Sequence, residues 1–72
     1  MGIENNIETE IRSIEISSED GLIYWQKKFK DGTVGVQERT GVSTADQVGL
    51  LAVIRSLEDT YGEGVVDRQI KS

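Results

Sequence analysis

From Leu22 to Lys30 the chain alternates, with Ile23, Trp25, Lys27 and Phe29 on one side and Leu22, Tyr24, Gln26 and Lys28 on the other. A period of two places successive side chains on opposite faces of a pleated strand, and the β-branched and aromatic residues favour that conformation. Asp31-Gly32 follows as a hairpin signal, after which Thr33 to Thr40 resumes the alternation with Val34 and Val36 on one face. Upstream, Ile3, Ile7, Ile11 and Ile14 recur at helical spacing, whereas Ile14-Glu15-Ile16 alternates. Thr9 to Ser18 therefore reads as a strand with a phase change near Ser13, of the kind a β-bulge produces. These segments define a three-stranded antiparallel meander. Residues 1–8 read as a flexible or helical arm and residues 9–72 as a single small α+β domain.

Beyond the third strand the period changes to that of a helix. Leu50, Val53, Ile54, Leu57 and Tyr61 share one stripe, which fits a helix laid across the sheet. Thr44 with Gln47, or Ser43 with Asp46, has the spacing of a capping box at its start, and Gly62 is a natural stop. Val65 to Ile70 fits either a short fourth strand or a frayed tail.

Such a fold must be held together by packing alone. The 72 residues contain no Cys, so neither a disulfide nor a thiolate metal site is available. They contain no His, which removes the commonest metal ligand and the commonest general base near neutral pH. A chain this short buries only roughly 60% of the surface its unfolded form exposes. Association with another chain is the remaining source of extra stability. The missing Cys and the lack of a basic, then apolar, leader point to the cytoplasm, and no apolar run approaches the ~20 residues needed to cross a bilayer.

The same inventory argues against catalysis. No GxSxG, GxxxxGK[ST] or GxGxxG pattern occurs, and most of the 13 carboxylates fall in turns or on expected solvent faces. A non-enzymatic role without metal or cofactor is expected.

Three features could support binding. On the helix, Ala45, Gly49, Ala52 and Ser56 form a stripe of small residues beside the core stripe, with Val53 between the two. A Gly inside a helix costs up to about 1 kcal/mol relative to Ala, so close approach of another backbone, most simply a second copy, would account for Gly49. The plainer reading is that Ala and Ser are tolerable exposed residues there. The second feature is the charge distribution. The net charge is −5, divided as −5 over residues 1–20, +2 over 21–40 and −2 over 41–72. Glu4, Glu8, Glu10 and Glu15 form an acidic face suited to a basic protein partner, although charge runs of this kind more often serve only to solvate a strand. The third feature is Tyr24-Trp25-Gln26-Lys27-Lys28-Phe29-Lys30, where rings interleave with cations as in single-strand and RNA binders. Trp25 and Phe29 equally fit a core face, with Lys27, Lys28 and Lys30 guarding a strand edge.

In outline, three strands followed by a helix resemble the small arm-binding domains of tyrosine-type integrases, with Gly41, Thr44 and Ala45 as the local matches. That family implies a strongly basic DNA-binding sheet, which this chain lacks. The segment Thr44 to Ile54 is similar to the helix after the first hairpin in ribonuclease H folds, but Gly49 and apolar neighbours stand where a catalytic Glu belongs. Neither similarity covers enough of the chain to define a family. The expectation is a small acidic protein-binding module, an inhibitor or adaptor that forms a homodimer through the helix. Its profile is common among phage-encoded inhibitors of host enzymes and defence systems. The alternative is a nucleic-acid-binding module using residues 24–30.

Overall fold

The computed structural model describes residues 10–71. They form β1 (Ile11–Glu19), β2 (Leu22–Phe29), β3 (Glu38–Ser43), α1 (Gln47–Tyr61) and β4 (Val66–Lys71). The strands make one mixed sheet in the order β3-β2-β1-β4, with α1 packed across one face. The α+β class and the helix over a meander agree with the sequence reading. The arm at residues 1–8, with Glu4 and Glu8, lies outside the described residues.

Asp20 and Gly21 join β1 to β2 with φ of 54° and 77°, the left-handed pair that tight hairpins use to match the strand twist. The expected phase change in β1 is present. Register passes from Ile11↔Phe29 to Ser13↔Lys28, which leaves Arg12 as the extra residue. This irregularity lets both Ile11 and Ile14 pack on the core.

The third strand departs from expectation. Val34 bridges Lys28 and the Gly35 amide donates to the Lys27 carbonyl at 2.8 Å, but the regular ladder begins only at Glu38 and runs on to Ser43. Val34 and Val36 are 54% and 80% exposed, so their alternation marks no buried face. Over this stretch the attachment is partly side-chain borne, with the Gln26 amide donating to the Gly35 carbonyl at 3.0 Å. A second irregularity follows: Leu22 and Tyr24 pair with Ser43 and Arg39, so β3 carries two more residues than β2 there. Gly41 absorbs the turn at φ 76°, while the Thr40 hydroxyl donates to the Ile23 carbonyl and accepts from the Val42 amide.

The helix starts later than either capping box implies. Its N-cap is Asp46, whose carboxylate accepts from the Gly49 amide at 2.9 Å. Ser43 instead closes the preceding turn, accepting from the Ala45 amide through its hydroxyl and from the Asp46 amide through its carbonyl. Asp is a stronger N-cap than Thr, and the turn built by Ser43 places Asp46 to serve. Gly62 ends the helix with φ 108° and an amide bonded to the Glu58 carbonyl.

Val65–Ile70 resolves in favour of a strand. Because β3 and β1 run the same way and α1 crosses the sheet, β4 pairs parallel to β1, with Ile14↔Val66 and Ile16↔Ile70. The core comprises Ile14, Ile16 and Ile23, at most 1% exposed, with Ile54, Leu57 and Val66 around them. Leu50, Val53 and Tyr61 complete the helix stripe as half-buried neighbours. The opposite sheet face is polar, carrying Glu15, Ser17, Tyr24, Gln26 and Lys28. Removing one or three buried carbons from a core this thin should be felt. We expect Ile16→Val to cost about 1 kcal/mol and Ile16→Ala about 3 kcal/mol in chemical denaturation. An Ile16→Ala cost below that of Ile16→Val would contradict the packing.

Candidate functional site

Among the described residues, one helix crosses the inner face of the sheet without covering all of it. Between α1 and the β2–β3 side lies an open groove of about 440 Å³, lined by Trp25, Thr40 and Val42 from the sheet and by Gly49, Ala52, Val53, Ser56, Leu57, Thr60 and Tyr61 from the helix. Trp25 and Tyr61 meet with ring centroids 5.9 Å apart and planes tilted by 54°. The Lys27 ammonium sits 5.6 Å over the Tyr61 ring at that end of the groove. Lys27 is in register with fully buried Ile14, so its aliphatic stem runs along the covered face while its charge reaches out over the aromatic ring.

The small-residue stripe and this groove coincide. Gly49, Ala52, Val53 and Ser56 all line it, and Ala45 precedes the helix without joining the lining. Gly49 has a reason within the chain: a Cβ there would lie 2.6 Å from an Asp46 carboxylate oxygen and 3.0 Å from a Val42 methyl. The missing side chain therefore makes room for the cap, and a second helix is not required to explain it. The outer helix face adds Val48 and Leu51, 80% and 55% exposed.

The aromatic-basic strand is divided between environments. Trp25 and Lys27 face the helix, while Tyr24 and Lys28 stand on the open face. Two of its lysines meet acids from the acidic face: Lys28 pairs with Glu15 at 3.0 Å and Lys30 with Glu10 at 2.9 Å. Two features that look independent in the sequence thus neutralise each other across the β1–β2 hairpin.

Sequence reasoning did not anticipate the ion pair joining α1 to β4. Arg68 grips Glu58 with two hydrogen bonds, Nε to Oε2 at 2.8 Å and Nη2 to Oε1 at 2.9 Å. The Glu58 side chain is only 10% exposed. The hydrogen bond from Arg68 holds the Glu58 carboxyl below its ordinary value of 4.5, with the charges of Arg68 and Arg55 acting in the same direction. Arg55, Asp59 and Glu63 complete this polar cluster. On the open face, Glu15 stands beside Asp67 in register. Asp67 is held below its ordinary value, first by the Gln69 amide and then by Lys71, 3.3 Å away.

Among the described residues, no group of three or more acidic side chains is placed to hold a metal ion, and no helix is long and apolar enough to cross a membrane. No family model, curated protein or solved structure matches the chain.

Two outcomes are expected. Glu58 is depressed in the fold, so its contribution is fully present above about pH 4.5 and is lost as pH falls through its lower folded value. Glu58→Gln should therefore be less stable than the parent at pH 7, and the gap should narrow by urea titration as pH falls below 4.5. A stability gap independent of pH would refute this. Gly49→Ala should bring no gain, because the helix-propensity benefit of about 1 kcal/mol is offset by about 1 kcal/mol from the displaced cap. A full gain in denaturation midpoint would show that the cap tolerates the methyl group.

Proposed function

We propose that this chain is a non-catalytic protein-binding module, an inhibitor or adaptor, that docks a protein partner on the α1–β3 groove. One observation carries the reading: the small residues Gly49, Ala52 and Ser56, beside Val53 on the helix, open its flank above Trp25 and Val42 of the sheet. Half-buried aromatic and aliphatic side chains in a concave, accessible surface are what interface hot spots are made of. The net charge of −5 supports a basic partner, since opposite potentials steer encounter and exclude acidic competitors. The nucleic-acid reading draws less support. Lys28 and Lys30 are committed to Glu15 and Glu10, and Trp25 and Tyr24 lie on opposite faces where one stacking platform would need them together.

Affinity capture from nuclease-treated lysate separates these readings when three forms of the chain are compared. The parent and Lys28→Ala should retain the same protein, whereas Ala52→Arg, folded by circular dichroism, should lose it at least tenfold. Retention that disappears with nuclease and weakens in Lys28→Ala would overturn the proposal in favour of nucleic acid.

A further inference from the structure

The groove is not closed on all sides: it runs along β3, and β3 is an edge of the sheet. Its inner side pairs with β2, while its outer side pairs with no strand among the described residues. From Thr33 to Ser43 the segment follows β2, held at Phe29, Lys28 and Lys27 before the ladder proper begins at Trp25. Natural edges of this length are usually blunted by lysine, proline or a covering element. This one carries no Lys and no Pro, and its exposed Val34 and Val36 make its first half apolar. The other edge differs. Both edges carry a register break and charges, but on β3 these are confined to residues 38–43, beyond the exposed valines, whereas β4 presents Asp67, Arg68 and Lys71 along its length and no exposed valine.

Resting on the protein-binding reading above, we infer that the partner engages as an extended strand added to the free edge of β3, with alternate side chains entering the α1–β3 groove. Strand addition supplies main-chain hydrogen bonds for affinity, and pockets for every second side chain supply specificity. The groove meets the geometric requirement. Thr40 and Val42 of the edge strand form one wall, and the helix wall is set back because Gly49, Ala52 and Ser56 are small. A helical ligand would leave the edge amides and carbonyls of β3 unused, whereas an extended one pairs them.

Charge defines the segment further. Glu38, in register with groove-lining Trp25, and Asp46, beside Gly49, make no ion pair among the described residues. Lys27 at the Tyr61 end is engaged with that ring. On the other face of the edge strand Arg39, in register with Tyr24, also makes no ion pair among the described residues, which disfavours basic residues there. The occupant is therefore an extended segment of a protein partner whose groove-facing alternate positions are apolar, with a basic residue in that same series beside Glu38 and Asp46.

The test selects binders to the full chain from a displayed library of random twelve-residue peptides and measures the best by fluorescence polarisation. Selected peptides should carry apolar residues at every second position, with a basic residue within that same series. Backbone N-methylation at every second residue should weaken binding at least tenfold in one phase and less than twofold in the other, and Ala52→Arg should abolish binding. Peptides with helical spacing, lost equally in Ala52→Arg but indifferent to the phase of methylation, would overturn strand addition while leaving the protein-binding groove intact. Failure to select any groove-dependent peptide would overturn both. So would binding that appears only after residues 1–9 are deleted, or only when a dimer seen by sedimentation dissociates, because the occupant would then be the chain itself.

Discussion

Everything in this molecule follows from one contact: a sheet bonded to a single helix through Ile14, Ile16 and Ile23 below and Ile54 and Leu57 above. A helix with its side chains is about 10 Å across, while the axes of four strands spaced ~4.8 Å apart span roughly 14 Å. One helix therefore cannot roof the sheet. Here it covers the isoleucines of β1 and β2 and, among the described residues, leaves the β3 side open, so the groove is a geometric remainder of the core. Sequence then determines what that remainder becomes. Small residues on the exposed flank keep it wide, and Trp25 and Tyr61 keep it apolar.

The elements governed by strict periodicity were legible in the sequence. The β2 alternation, the stripe from Leu50 to Tyr61 and the stop at Gly62 depend on local spacing, and the structure reproduces them. Even the misphased isoleucines of β1 signalled the extra residue at Arg12, because a bulge shifts the period by one. What local spacing could not reveal was cover. Val34 and Val36 alternate as a buried face does, yet the helix that would bury them lies elsewhere. The N-cap was misplaced for a similar reason. Ser43, Thr44 and Asp46 can all cap, and the choice fell to Asp46 because Ser43 was already used in the turn that leads β3 into the helix.

Of the candidate site, the small stripe on α1 was legible but its neighbours were not. Nothing in the sequence brings Trp25 and Val42 beneath Ala52 and Ser56, since that needs the register of β2 on β3 and the line of the helix across both. The acidic face and the basic strand were visible separately. Their cancellation through Glu10–Lys30 and Glu15–Lys28 depends on hairpin register. Exposed pairs of this kind contribute modestly to stability, about 0–1 kcal/mol each, and their larger effect is to remove free lysines from the surface.

Trp25 is the only tryptophan in the chain, and it lies half-buried on the groove floor with Tyr61 5.9 Å away. The site therefore carries its own optical reporter. Light absorbed by Tyr61 can pass to an acceptor well within transfer range, and the emission of that acceptor shifts when water leaves the indole. Whatever enters the groove changes the colour of the protein's own fluorescence, so occupancy can be followed without attaching any label to the molecule.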